Sequence, residues 1–343
     1  MCIRDSIFGV GKGKFVKCPK TQQDLEILRL IINLVPSNQL QEIIKGDVDT
    51  LPHFAQWLSL ELLPDEVMIW GSEDISCAFY VFALPDVWGP YFVLHWPVPG
   101  SLAGMPEVKE VYLTLAVIPM GWTSAVGVCQ HCMRRLNALP SPQGAALPAH
   151  SELRKDRSQP VDWELRVLKF FQQFIDNWDS GSAVKEHKGP LPPWVEQWRI
   201  QLKQAYRWWN VPRAEDKATK GTKGETLGGA IEGEKGKIWP GEDKLHDIIT
   251  LALHILVQPV PKLKHVSAGA GKLVFLYQFK RALMVLLDHV WDVTTGKASA
   301  LQRAFLIREE FVGALLSLPL LYMDLRAATA PLVTCSDASE EGG

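Results

Sequence analysis

The sequence lacks any apolar run approaching the roughly 18 residues that a membrane-spanning helix requires. Its best candidate, Gly313 to Tyr322, is short and contains Pro319. No charged-then-apolar pattern opens the chain, so neither a membrane partner nor a secretory leader is expected. Charge of one sign is missing too. The formal net charge is −2, so a nucleic-acid role has to rest on local basic patches. Cysteine is scarce: Cys2, Cys18, Cys77, Cys129, Cys132 and Cys335 are too few for a disulfide framework in a chain of 343 residues. That points to a reducing, intracellular compartment, cytoplasm or nucleus. Cys129-Gln-His-Cys132 looks like half a zinc site. No second ligand pair sits at suitable spacing and the segment reads as helix, so structural zinc is not expected. No internal repeat is visible.

What is present suffices for a substantial core. Apolar residues make up 47% and charged residues 22%, as in a soluble globular protein, and the length allows two or three domains. Met1 to Ser6 are set aside as a non-native leader, and residues 1–14 are expected to be non-native or disordered. The chain stops at Gly342-Gly343 in the middle of a strand-and-turn pattern, so a fragment of a longer polyprotein, with polyprotein neighbours, is expected.

Residues 20–60 read as mainly helical, with Leu25, Leu28, Ile31, Ile32 and Val35 at helical spacing. Val67 to Trp70 is a short apolar run leading into Ser72-Glu73-Asp74, and it reads as a buried strand. Tyr91 to Trp96 and Val111 to Ile118 read as strands separated by Pro and Gly. Thr123 to Leu136 suits a helix, and the Pro-, Ala- and Ser-rich stretch from Pro140 to Pro160 suits a surface loop. Trp163 to Phe174 is densely apolar and aromatic and ends in Ile175-Asp176-Asn177. From Pro212 to Lys237 the composition turns to Gly, Lys and Glu, which predicts a mobile connection around one short strand, Thr226 to Ile231. Residues 243–258, 271–292 and 300–318 read as helices. Strands alternating with helices, then a helical tail, predict an α/β (α+β) core with a helical appendage.

Three segments carry the chemistry: Asp74-Ile-Ser-Cys-Ala-Phe79-Tyr80; Ile118-Pro-Met-Gly121-Trp122-Thr-Ser124, closing on Gln130; and Phe174-Ile175-Asp176-Asn177. Singly, each has a plainer explanation. An Asp after a strand is often a solvated strand end. Pro-Met-Gly-Trp is often a turn, and Asp-Asn often sits at a hairpin tip. In this order and spacing they resemble motifs A, B and C of reverse transcriptases, in the style of retrotransposon enzymes. Asp74 with Phe79 five positions on matches motif A, Gly121 with Gln130 nine beyond it matches motif B, and Phe174 to Asn177 stands for motif C. Asn210 to Lys217 looks like motif D and Thr226-Leu227-Gly228-Gly229 like motif E, the primer grip. Val333 to Ser339, with Asp337, looks like the first strand of a ribonuclease H domain.

The resemblance implies a right-hand polymerase. Residues 15–242 would form fingers and palm, 243–325 a helical thumb or connection, and 326–343 the truncated start of a ribonuclease H-like domain. It implies an RNA template, a DNA or RNA primer and deoxynucleoside triphosphates as partners. Asp74 and Asp176 would bind two Mg²⁺ (or Mn²⁺) ions. Nucleotidyl transfer asks a protein to hold two such ions about 3.5–4 Å apart, clamping the attacking and leaving oxygens. Mg²⁺ takes hard oxygen ligands, and one or two carboxylates plus substrate phosphates suffice.

Further roles follow from the same resemblance, each beside a plainer alternative. Phe79 is a steric gate against a 2′-hydroxyl, or a core aromatic. Gly121 lets backbone approach template–primer or nucleotide, or is a turn glycine. Gln130 closes motif B on the nucleotide side. Lys217 donates a proton to pyrophosphate, or is a solvated lysine. Arg29 contacts the triphosphate, or lies on a solvated helix face. Two basic runs could track a phosphate backbone or be solvated faces: Lys203, Arg207, Arg213, Lys217, Lys220 and Lys223, and then Lys262, Lys264, Lys272, Lys280 and Arg281. Trp208-Trp209 is expected to pack in the core, with base stacking as the alternative.

The sequence departs from the family where Asn177 replaces the usual second Asp of motif C, Phe174 replaces Tyr, and Met120 stands in motif B. Asn hydrogen-bonds but brings no charge, so altered metal preference or reduced activity is expected. An RNA-directed DNA polymerase is the leading expectation. A decayed or domesticated fold that only binds nucleic acid or protein is the alternative, and an RNA-dependent RNA polymerase is disfavoured by Phe79.

Overall fold

The computed structural model describes residues 6–139, 141–142, 144–157, 168–185, 190–299 and 301–328. The chain opens with a long hairpin, β1 (Ser6–Lys17) and β2 (Asp24–Asn33), followed by the short helix α1 (Val35–Asn38). Next come β3 (Glu66–Asp74), α2 (Ala78–Val81), the hairpin β4 (Val93–Pro99) and β5 (Glu110–Thr114), and α3 (Ala125–Ala138). The hairpin β6 (Lys169–Phe174) and β7 (Asn177–Lys185) leads to α4 (Pro193–Trp208). Four short strands follow: β8 (Thr219–Gly221), β9 (Lys223–Thr226), β10 (Gly229–Glu232) and β11 (Lys237–Pro240). The C-terminal part is helical, with α5 (Glu242–Val257), α6 (Leu263–Leu276), α7 (Asp288–Thr294) and α8 (Ala304–Ser317), and ends in β12 (Met323–Asp324).

The centre is a four-stranded antiparallel sheet in the order β6-β7-β3-β8. Both of its faces are covered, which explains why Val67 to Trp70 is a continuous apolar run rather than an alternating one. On one face Ile75, Phe171 and Trp178 pack against Cys129 and Met133 of α3 and Leu202 and Tyr206 of α4. On the other, Met68, Trp70 and Phe170 join Phe54, Trp57 and the apolar side of α5 to α8. Gly181 in β7 is required by this packing: a Cβ there would lie 2.5 Å from the Phe170 ring. A second four-stranded sheet, β12-β11-β10-β9, leans on the helical bundle.

The structure corrects several expectations. Residues 24–33 form a strand, because the ladder from Ser6–Asn33 to Lys17–Asp24 satisfies the backbone of a segment rich in β-branched residues. Residues 6–14, expected to be non-native or disordered, supply most of the partner strand β1. The stretch from Pro140 to Pro160 is not a surface loop where it is described, since Leu147, Leu153 and Glu152 are buried. The single strand expected at Thr226 to Ile231 is a hairpin, turning at Leu227 and Gly228 with φ of +48° and +77°. The expected helix 271–292 is broken by 3₁₀ turns over Tyr277–Leu286, which bury Tyr277 and Phe279. Trp208 and Trp209 are about half exposed rather than in the core. The ribonuclease H-like segment with Asp337 lies outside the described residues. No helix among the described residues is long and apolar enough to cross a membrane.

Candidate active site

The register of β3 against β7 pairs Asp74 with Asn177 and Ser72 with Asp179. Side chains alternate along strands, so these four share one face, while Glu73 and Trp178 share the other. Asp176 sits in the β6–β7 turn, and its carbonyl accepts a hydrogen bond from the Ile75 amide at 3.1 Å. Pairing therefore brings two carboxylates far apart in sequence to one sheet end. Burial pushes the Asp176 carboxyl above the usual range, and the Asp74 charge adds to that push, against a counter-pull from Lys217. One Asp74 oxygen, Oδ1, is buried with no hydrogen-bond partner. The other, Oδ2, accepts from Lys217 Nζ at 2.9 Å, which raises the Lys217 pKa.

The hairpin that presents Asp176 is held from below. Ile175 adopts φ +54°, an uncommon conformation for a β-branched residue. Its amide donates to Gln130 Oε1 at 2.8 Å, and Gln130 Nε2 donates to the Gln173 carbonyl at 2.8 Å. Gln130 is wholly buried. The structure thus corrects its expected nucleotide contact: its amide is committed to the hairpin backbone. Gln130→Leu would leave the Ile175 N–H and the Gln173 C=O without these partners. It is expected to lower the unfolding free energy by about 1–3 kcal/mol, measured by denaturant titration. A change below about 0.5 kcal/mol, the level of ordinary surface substitutions, would show that the hairpin does not depend on it.

The other expected residues are placed as follows. Phe79 lies on α2, half-buried between the cluster of Cys129 and Met133 and a second around Ile118 and Trp122. Gly121 has φ +100°, and a Cβ there would lie 2.9 Å from the Ile32 carbonyl oxygen, so this turn admits glycine alone without strain. Arg29 is in β2 opposite Val10, not on a helix face. The Asn177 amide is engaged at both ends: its Nδ2 donates to Asp179 at 2.9 Å and to Thr226 at 3.2 Å, and its Oδ1 accepts from Ser72 at 3.0 Å. Cys129 is buried in α3, where burial pushes its thiol up to about 12. Cys18, Cys77, Cys129 and Cys132 are all free.

Two buried acidic residues lie outside the motif positions. Glu73, on the opposite face from Asp74, is 1% exposed and is bound by Arg199, Lys203 and Arg213. Asp179 is 0% exposed and accepts from Thr226, Asn177 and Gln172. Period-2 spacing from Asn177 was the available signal for Asp179. The expected phosphate-tracking run is largely neutralised, with Lys203, Arg213, Lys217, Lys220 and Lys223 each paired to an acid. Lys262, Lys264, Lys280 and Arg281 are exposed.

Beside the hairpin lies a mainly apolar cleft of about 550 Å³, lined by Phe54, Phe174, Asn177, Leu227, Lys244 and Phe275 among others. Among the described residues no cluster of three or more His, Cys, Asp or Glu is placed to hold a metal ion. The Asp74–Asp176 pair with its unpartnered oxygen nevertheless suits a hard cation whose other ligands come from a substrate.

No family model matches the sequence, and no curated protein matches it. Solved structures do. The foamy viral protease-reverse transcriptase dRH in complex with ds DNA aligns at 11% identity and TM-score 0.52, over 88% of this chain and 43% of that one. The foamy viral protease-reverse transcriptase in complex with RNA/DNA hybrid aligns at 12% identity and TM-score 0.50, over 91% of this chain and 33% of that one. The chain spans less than half the length of either. At such identity the likeness is one of fold, and the fold is reverse-transcriptase-like.

Proposed function

We propose that the chain is an RNA-directed DNA polymerase of a retrotransposon, extending a primer on an RNA template with deoxynucleoside triphosphates. The observation that carries this reading is the β3–β7 register, which sets Asp74 beside the Asp176 turn in a fold of reverse-transcriptase type. On this reading the central sheet with α3 and α4 is the palm. The β1–β2 and β4–β5 hairpins belong to the fingers, and α5 to α8 form the thumb or connection.

Asp74 and Asp176 would hold two divalent cations, Mg²⁺ or Mn²⁺, which when bound lower the barrier to in-line attack by the primer 3′-hydroxyl on the α-phosphate. The protein's own part is positional. Gln130 and the Ile175 turn fix Asp176, and the β9–β10 turn at Leu227-Gly228 borders the cleft where a primer end would lie. Lys217, exposed and bonded to Asp74, would meet the leaving pyrophosphate and give it a proton. Lys262, Lys264, Lys280 and Arg281 are available to the duplex backbone.

The test is extension of a primed RNA template with deoxynucleotides in Mg²⁺ and in Mn²⁺. Incorporation supports the reading. Salt-sensitive binding without incorporation would favour the second reading, a decayed fold that only binds, which the uncharged Asn177 speaks for.

Phe79 gives a separate prediction. If its ring meets the sugar, Phe79→Val should raise ribonucleotide use relative to deoxynucleotide use by roughly 10–200-fold, the range for adding or removing small groups in a pocket. Unchanged discrimination in a folded variant would leave Phe79 as a core aromatic only.

A further inference from the structure

Asp179 has no role in the mechanism above, yet it is a carboxyl at 0% exposure beneath the proposed catalytic hairpin. Its Oδ1 is buried without a hydrogen-bond partner, so the bonds that hold the group all fall on the other oxygen. Three donors from three strands converge on its Oδ2: Thr226 Oγ1 of β9 at 2.6 Å, Asn177 Nδ2 of β7 at 2.9 Å and Gln172 Nε2 of β6 at 3.0 Å. Asn177 also donates to Thr226 at 3.2 Å and accepts from Ser72 of β3. Both Asn177 and Thr226 line the cleft. An Asp at 177 would put a second carboxylate oxygen at hydrogen-bond distance from the first. Like charges so close in a buried site cannot both ionise. The amide at 177 and the acid at 179 are therefore chemically matched, and neither choice is independent of the other.

We infer that Asp179 is a positioning residue that, paired with Asn177, ties the hairpin bearing Asp176 to the β9–β10 turn across the cleft floor, and that Asn stands at 177 because a carboxyl stands at 179. The kinetic part rests on the polymerase reading; the pairing itself does not.

The full chain is compared as wild type, N177D, D179N and the exchange N177D/D179N, each melted and each assayed for extension of a primed RNA template. N177D creates the like-charge contact, and its melting midpoint should fall by at least about 3 °C. The exchange again faces one acid with one amide and should recover most of that fall, a non-additive result. In D179N the kcat for extension should drop about tenfold while the deoxynucleotide KM moves by less than about twofold, and the exchange should return kcat to within about threefold of wild type. Should D179N fail to fold, T226V, which removes one donor from the same oxygen, takes its place in the kinetic arm. An exchange form no more stable than N177D overturns the pairing, and an unaltered kcat in D179N overturns the positioning role. A wild-type chain that extends no primer removes the polymerase reading and the positioning role together, and the melting cycle then decides the pairing alone.

Discussion

Asp176→Ala is expected to lower kcat for primer extension by at least about 10³-fold, roughly 4 kcal/mol of transition-state stabilisation, while leaving the fold intact or more stable. Both halves come from one arrangement. Asp176 is half-buried in the turn beside the strand end that carries Asp74, whose Oδ1 has no partner. Burial and the neighbouring charge raise its pKa above the ordinary 3.8. A raised carboxyl means that the folded state resists ionisation more than the unfolded state does. Its favourable contribution is complete below pH 3.8 and is lost as pH rises through the folded value. At neutral pH the ionised Asp176 opposes folding, and removing it relieves that cost. The stability of Asp176→Asn relative to wild type should accordingly improve from pH 3.5 or so toward neutrality. Primer extension, with denaturant midpoints at several pH values, checks both halves. Undiminished extension by Asp176→Ala would end the two-carboxylate mechanism. A variant clearly less stable than wild type at neutral pH would mean that Asp176 is satisfied structurally.

The strand that carries Asp74 was legible because both faces of its sheet are covered, so its apolar run is continuous and ends abruptly in polar residues. The β6–β7 hairpin was legible through Phe174 to Asn177, although its two turn residues are Ile175 and Asp176, and Asn177 already pairs with Phe174 in the ladder. Segment 24–33 was not. Its apolar residues fit a helical period, and the strand is fixed by a partner strand, β1, rich in Gly and Lys. Gln130 was found by spacing, but its role was not, since burial beneath a turn is a tertiary fact. Glu73 and Asp179 were hidden for the same reason. Each lies one or two residues from a motif position, and only the pleat tells which face it takes.

Glu73→Ala is expected to be the most destabilising single change, at about 3–5 kcal/mol, because it strands several partly buried cations at once. Arg213 reaches Glu73 Oε2 through Nη2 at 2.7 Å and Nε at 3.1 Å, while Arg199 Nε at 2.7 Å and Lys203 Nζ at 3.0 Å take Oε1. The cation side chains are 11%, 14% and 26% exposed against 1% for the carboxylate. Desolvation alone would raise the Glu73 carboxyl, but hydrogen bonds from Arg213, Lys203 and Arg199 outweigh it and hold the pKa below the ordinary 4.5. A depressed carboxyl contributes stability above its unfolded value, and that contribution is lost as pH falls through the folded one. The gap between wild type and Glu73→Gln should be widest at neutral pH and close below pH 4.5. Activity should suffer as well. Arg213 lies on the segment joining α4 to β8, where the Ala214 amide bonds the Asp74 carbonyl and Lys217 bonds the Asp74 carboxylate. Denaturant titration of Glu73→Ala reads the main effect, and a loss below about 1 kcal/mol would show that water reaches the cations. The sharper check replaces charge on both sides. In a Glu73→Leu background, Arg213→Met removes a stranded cation and should regain stability, whereas in the wild-type background the same substitution should lose it, a reversal of sign that packing alone does not produce.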